Sequence, residues 1–219
     1  AYILQYFYAL FLHKIPPRHL FSHFTVIISD AILIAKIRPH LLPQGEVIYI
    51  MIEILNGTHE TVAYREMKGI KVFLNTDPED FPLHWHTALE LIMPVRNDYT
   101  VRTNGETIHV VPGDILLIPP GELHSLFAPP EGERLFMQFD YSLLCSLMGM
   151  DSLLHTLRPY RLIRAGEQGG LAETLREYLE EIKKEYTSED PYREPSVYSL
   201  FLRFFVALGR SDMAEGNKF

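Results

Sequence analysis

The stretch from His84 to His124 constrains the fold of this chain more than any other part of its 219 residues. It contains short apolar runs that are interrupted at close spacing by Gly, Pro and Asn. Asn104-Gly105 divides the run YTVRTNGETIHVV into two alternating halves. This pair is a strong hairpin signal, because both central residues of a type I′ turn need positive φ. Many short strands with such punctuation are typical of a β-sandwich or a β-barrel.

The same pattern continues on both sides of this stretch and predicts a β domain over residues 51–140. The predicted strands cover residues 61–65, 70–74, 83–86, 89–95, 99–103, 107–111, 115–118, 123–128 and 134–140. Polar, Pro-containing segments such as Asp77-Pro78-Glu79-Asp80 separate them and favour turns.

After Asp140 the apolar period becomes helical, and residues 141–219 are predicted to form a helical region. The first helix carries an apolar stripe that we expect to support dimerisation: Leu171, Leu175, Tyr178, Leu179 and Ile182. A second helix is predicted to begin near Pro195 and to end at Gly209. Its stripe consists of Val197, Leu200, Phe201, Phe204 and Leu208. Both stripes could pack on the β domain, or one could contact a partner subunit in a homodimer.

Four side chains form the candidate site. His84, His86 and Glu90 are spaced by even numbers of residues, so they share one face if the strand stays regular. His124 opens the strand after a Pro-rich turn, where a barrel could bring it opposite them. Three imidazoles and a carboxylate suit a first-row metal such as Zn, Mn, Fe or Ni. The alternative is a polar pocket that binds an organic ligand by hydrogen bonds without a metal.

These residues resemble the two cupin motifs. His84-x-His86, three residues and Glu90 resemble the first motif, while Gly113, five residues, Pro119-x-Gly121, two residues and His124 resemble the second. This resemblance implies a cupin-type double-stranded β-barrel, or jelly roll. The chain departs from the motifs at three turn positions, where Pro78, Asn97 and Ala128 replace the expected residues, and none of the three is a metal ligand in the cupin pattern.

A finer resemblance, over about residues 61–210, is to the sensor domains of AraC-type bacterial transcription regulators. It rests on HWHTALELI, NGETIHVVPGDILLIPPGELHSL and FMQFDYSLL, and on the helix pair that follows. The resemblance implies a cupin pocket that binds a small-molecule effector, often a sugar, and helices that form a homodimer. It also implies DNA binding through a C-terminal helix-turn-helix domain, which we expect to be absent from this chain.

Composition agrees with a cytoplasmic globular domain that does not itself bind DNA. The net charge is −8 and no cluster of Lys and Arg is visible, whereas phosphate binding needs one. The single Cys145 excludes an internal disulfide framework and fits a reducing compartment. As a catalytic nucleophile Cys145 is disfavoured against a small buried thiol.

Residues 1–50 differ in composition from the rest, with two acids and four bases. We expect them to be upstream sequence read in frame or a poorly structured extension, with translation starting at Met51. Their apolar runs, residues 1–12 and 24–35, are shorter than a membrane-spanning helix requires.

Two classes of function therefore compete. The first is the ligand-sensing and dimerisation domain of an AraC-type regulator, which is not an enzyme. The second is a stand-alone metal-dependent cupin enzyme, a dioxygenase or an isomerase, in which the same four residues hold a catalytic metal. The helix pair favours the first class, since a catalytic cupin does not need it.

Overall fold

The computed structural model describes residues 23–28, 31–41, 47–145, 147, 149–166 and 170–214. It divides into two compact units, residues 1–57 and 58–219. The composition of the sequence changes near residue 51, but strand β3 continues through Met51. The boundary between the two units therefore falls a few residues later, after residue 57. The predicted upstream origin of residues 1–50 stays a prediction, and the apolar run 1–12 lies outside the described residues.

In the described part of the first unit, three antiparallel strands follow one another. They are β1 (His23–Ile28), β2 (Ala31–Leu41) and β3 (Val47–Asn56). β2 pairs with both neighbours, and a register shift at Lys36 and Ile37 interrupts its ladder with β3.

In its described residues, the second unit contains ten strands and four helices. The strands are β4 (His59–Glu60), β5 (Ile70–Asn75), β6 (Phe81–His84), β7 (Ala88–Arg96), β8 (Tyr99–Thr103), β9 (Glu106–Val110), β10 (Ile115–Ile118), β11 (His124–Phe127), β12 (Glu133–Asp140) and β13 (Arg161–Ile163). The helices are α1 (Ser142–Cys145), α2 (Met150–Thr156), α3 (Leu171–Tyr186) and α4 (Arg193–Ala214).

Two antiparallel sheets form the β domain. The first has the strand order β13-β10-β7-β12-β5 and the second has the order β6-β11-β8-β9. Their inner faces meet, since the ring of Tyr99 in β8 lies 6.0 Å from that of Phe136 in β12. The fold is therefore mainly β, of the jelly-roll type, with two long helices after it, as the sequence predicted.

The β8–β9 hairpin confirms the strongest local prediction. Asn104 and Gly105 have φ values of 50° and 75°, as a type I′ turn requires, and Thr103 pairs with Glu106 across the turn. Asn97 also has positive φ, 63°, at the position where the cupin motif has Gly. Because Asn tolerates the left-handed region better than most residues, this departure leaves the turn in place.

The first sheet is buried on both faces, so the unit contains two cores. Alternate side chains of β12 point in opposite directions. Leu135, Met137 and Phe139 join an apolar cluster with α3 and α4, whereas Phe136 and Gln138 face the second sheet. This explains why residues 134–139 are all buried and why this segment shows no simple polar alternation.

The two long helices cover the outer face of the first sheet. All five residues of the predicted α4 stripe are buried, and Phe201 lies with its ring 4.8 Å from that of Phe139. Leu175, Leu179 and Ile182 of α3 belong to the same cluster and are at most 1% exposed. These three side chains therefore pack inside the chain, whereas Leu171 and Tyr178 are half-buried, and the role of the stripe in dimerisation stays a prediction.

Other details differ from the sequence predictions. No strand forms over residues 61–65. The second helix continues past Gly209 to Ala214, so Gly209 does not cap it. A Cβ at this position would lie 3.4 Å from Leu153. The short strand β13, which pairs with β10, and the helices α1 and α2 were not predicted. Within the described residues, no helix is both long and apolar enough to cross a membrane.

Candidate functional site

The four predicted site residues come from both sheets. His84 ends β6 and pairs directly with His124 at the start of β11, in the second sheet. Glu90 lies in β7 of the first sheet, and His86 lies in the link between β6 and β7. The strand is thus not regular from His84 to Glu90. The side chains meet because the chain crosses from one sheet to the other, not because they share one strand face.

All four side chains are buried and close together. One nitrogen from each of His84, His86 and His124 lies within 4.8 Å of the other two. His86 Nε2 lies 3.5 Å from Glu90 Oε1, and His124 Nε2 lies 3.4 Å from Glu90 Oε2. Each of the four residues is at most 2% exposed.

Each imidazole is oriented by a backbone carbonyl. Nδ1 of His84, His86 and His124 lies 2.8, 3.0 and 2.9 Å from the carbonyl oxygens of Pro82, Ala88 and Glu122, respectively. A carbonyl oxygen only accepts, so Nδ1 is the donor in each pair. In the neutral tautomer, Nε2 then carries a lone pair. The three lone pairs are directed into the cluster, which is how metal-binding histidines are usually held.

The inner atoms of the cluster lack a hydrogen-bond donor. His86 Nε2, His124 Nε2 and Glu90 Oε2 are buried and make no hydrogen bond. Acceptors that face one another at 3.4–3.5 Å repel unless a proton or a cation lies between them. A cation between these atoms would relieve the repulsion, as a shared proton would, and these residues could hold a divalent metal.

The ionisation of the cluster follows from its burial. Burial, together with the nearby His124, lowers the pKa of His84 to about 3. Burial would also lower the pKa of His86, but contact with the Glu90 carboxylate outweighs it and the pKa is raised. Burial acts against the charge of Glu90, yet contacts with His124 and His86 hold its pKa well below the usual range. At neutral pH, His84 is therefore an uncharged nitrogen donor beside a carboxylate.

This lowered pKa predicts a pH dependence of stability in the metal-free protein. Because the folded-state pKa of His84 lies below the unfolded value near 6.5, the unfolded chain binds more protons between them, and stability falls with acidification. From pH 7 to pH 5, His84 should remove about 2 kcal/mol from the free energy of unfolding. Urea unfolding of chelator-treated protein should show this loss, and His84→Gln should show a flatter profile. Parallel profiles for the two proteins would contradict it.

Sequence reasoning missed two residues of the site. Gln138 in β12 donates from Nε2 to Glu90 Oε1 at 2.9 Å and so orients that carboxylate. A polar residue inside the apolar run LFMQF was the available signal. Glu60 in β4 is 3% exposed, with Oε2 3.5 Å from His84 Nε2. No motif or spacing in the sequence pointed to Glu60.

The second cupin-like motif positions the turns that frame the site. Gly121 donates its N–H to the carbonyl oxygen of His86 at 2.9 Å, which ties the Pro-rich turn to the histidine link. Gly113 has φ 90°, and a Cβ there would lie 3.1 Å from the guanidinium of Arg176 and 3.3 Å from Cβ of Ala165. At the third departure from the motifs, Ala128 donates its N–H to Asp80. The turns therefore form despite the departures.

The three histidines and the glutamate of the two cupin-like motifs thus come together between the sheets of a jelly roll, and the comparisons identify the family of this chain. A family model described as the AraC-like ligand binding domain matches residues 72–217. The chain belongs to this family, as the resemblance in the sequence implied.

Several solved structures are similar to parts of this chain. CuxR, described as an AraC-like transcriptional activator, is 9% identical with a TM-score of 0.41, covering 84% of this chain and 62% of its own. A cupin protein of Bacteroides fragilis is 25% identical with a TM-score of 0.33, covering 38% of this chain and 73% of its own. A protein described as a putative mannose-6-phosphate isomerase of Ralstonia eutropha is 21% identical with a TM-score of 0.33, covering 35% and 79%. A search of curated proteins finds no match.

Proposed function

We propose that this chain is the ligand-sensing domain of an AraC-type bacterial transcription regulator and that a small-molecule effector binds at the His84–His124 pocket. The family match over residues 72–217 carries this proposal. The geometry supports it, since convergent polar side chains lie between two sheets, and the outer face of the first sheet packs on helices. A sugar is the first effector class to test. DNA binding would belong to a separate helix-turn-helix domain, and the location in the cell would be the cytoplasm.

A ligand screen tests this proposal directly. A ligand that binds only the folded state at 100 times its Kd adds about 2.7 kcal/mol to the stability. In a domain of this size, this corresponds to a rise in Tm of about 5–10 °C. We expect at least one sugar or related polar small molecule to produce such a shift in wild-type protein and not in His86→Ala. Equal shifts in the two proteins would place the effector elsewhere.

We also propose that the cluster of His84, His86, Glu90 and His124 binds one divalent transition metal, with Zn, Mn, Fe and Ni as the candidates. The buried acceptors without donors are the observation in favour. When bound, such an ion would act as a Lewis acid that coordinates oxygen atoms of the effector. The chain's own part is to hold three Nε2 lone pairs and the carboxylate in place through their backbone and Gln138 contacts.

A stand-alone metal-dependent cupin enzyme is the second candidate function. The same donor set favours it, because three histidines and a glutamate could hold a catalytic metal with open positions for a substrate. Stoichiometric redox-active metal together with turnover of a small substrate would replace the sensor proposal by this one. Ligand-induced stabilisation without turnover would support the sensor.

A homodimer remains a proposal. Leu175, Leu179 and Ile182 are occupied by the chain's own core, so within the predicted stripe a dimer contact would fall to Leu171 and Tyr178, which are half-buried. Sedimentation equilibrium of the purified chain should give twice the 25.4 kDa mass if the proposal holds.

A further inference from the structure

Glu60 is a buried carboxylate at the site, but it lies outside the family match and outside the two cupin-like motifs. It precedes the family match, which begins at residue 72, and it belongs to neither motif. Its side chain is 3% exposed, and Oε2 lies 3.5 Å from Nε2 of His84. This placement brings a second buried carboxylate into contact with the three histidines.

The backbone that carries the histidines also fixes Glu60. Trp85, between His84 and His86, donates its N–H to the carbonyl of Thr58 at 2.8 Å and accepts from the N–H of Glu60 at 2.8 Å. The ring of His59 lies 4.5 Å from that of Trp85, on the other side of this short parallel pairing. Because side chains alternate along a strand, Glu60 then faces the side of His84 and His86.

The contact repeats the one that Glu90 makes. Nδ1 of His84 donates to Pro82, so in the neutral tautomer Nε2 presents a lone pair to the Glu60 carboxylate. Glu90 stands in the same relation to His86 and His124. The cluster thus holds three imidazoles and two buried carboxylates, and each of these groups can ligate a divalent cation.

We propose that Glu60 is a fifth ligand of the divalent ion at this cluster and that it makes the site favour Mn²⁺ relative to Zn²⁺. This inference rests on the metal binding proposed above. Carboxylate oxygen suits Mn²⁺, which takes octahedral sites, whereas Zn²⁺ is satisfied by four ligands and by nitrogen donors. Loss of Glu60 should therefore affect Mn²⁺ more than Zn²⁺.

The test is calorimetric titration of the full chain with Mn²⁺ and, separately, with Zn²⁺, for wild type, Glu60→Gln and Glu66→Gln. Glu66 is an exposed glutamate of the same segment and serves as the matched control. We expect Glu60→Gln to lower the Mn²⁺ affinity at least about tenfold, in the range that changes around a metal site produce, with a clearly smaller change for Zn²⁺. Glu66→Gln should bind both ions like wild type.

The outcomes separate the two levels of the proposal. Wild type that binds neither ion would overturn both the metal site and the role of Glu60. Wild type that binds and Glu60→Gln that binds equally well would overturn the role of Glu60 alone. Equal losses for Mn²⁺ and Zn²⁺ would overturn the selectivity.

A folding defect is distinguishable from loss of a ligand. In the metal-free protein, the amide N–H of Gln at position 60 can donate to Nε2 of His84, so we expect no decrease in Tm for Glu60→Gln. Glu60→Asp supplies a second variant. It keeps the negative charge, but its side chain is one methylene shorter, so the carboxylate lies farther from the histidines. It should show an Mn²⁺ affinity between those of wild type and Glu60→Gln, and an affinity equal to that of wild type would contradict direct ligation.

Discussion

Replacement of His124 by Ala is expected to lower the affinity for Mn²⁺ or Zn²⁺ more than about a hundredfold, because changes that only touch the surroundings of a metal site already cost 10–100-fold. His124 is fully buried, and its Nε2 lies 3.4 Å from Glu90. The substitution removes one of three imidazoles and leaves the carboxylate without that neighbour. Calorimetric titration of the chelator-treated protein measures the change.

The control for this prediction is His155→Ala. His155 is 73% exposed at the end of α2, so its loss removes an imidazole without touching the cluster. It should bind metal like wild type. If His124→Ala also binds like wild type, the cluster is not a metal site, and the pocket would then hold its ligand by hydrogen bonds alone.

Replacement of Phe201 by Ala is expected to cost about 3–5 kcal/mol of stability, the usual range for removing a fully buried aromatic side chain. Phe201 is 0% exposed in α4, and its ring lies 4.8 Å from that of Phe139 on the outer face of the first sheet. The cavity would open between helix and sheet. Urea or thermal unfolding followed by circular dichroism measures the loss.

Val206→Ala is the matched control on the same helix, since Val206 is 43% exposed. A surface substitution of this kind usually changes stability by no more than about 0.5 kcal/mol. Similar small losses for both variants would show that α4 does not cover the sheet. A large loss for Phe201→Ala alone supports the helix layer described above.

Local features of the fold were readable from the sequence because they depend on few residues. The φ values at Asn104 and Gly105 follow from turn chemistry alone, and the apolar periods of α3 and α4 follow from helix geometry. The jelly roll followed from the punctuation of short strands together with the two motifs. The short strand β13 was not readable, since three residues without alternation carry no periodic signal.

The convergence at the site was only partly readable. The motifs indicated His84, His86, Glu90 and His124. The expectation that the first three share one face of a single regular strand was wrong. The chain leaves one sheet at His84 and enters the other at Ala88, and sequence periodicity cannot show such a crossing. Glu60 reaches the cluster through a two-residue strand, whose position depends on backbone contacts with Trp85.

Strands β7 and β12, buried on both faces, have a mechanical consequence. In β7, Glu90 faces the pocket while its neighbours Leu89 and Leu91 belong to the core beneath the helices. Gln138, which contacts Glu90, likewise has Met137 and Phe139 on the helix side. A shift of the Glu90–Gln138 pair would therefore act on the same two strands against which α3 and α4 pack, and one β-sheet separates the histidine cluster from the helices.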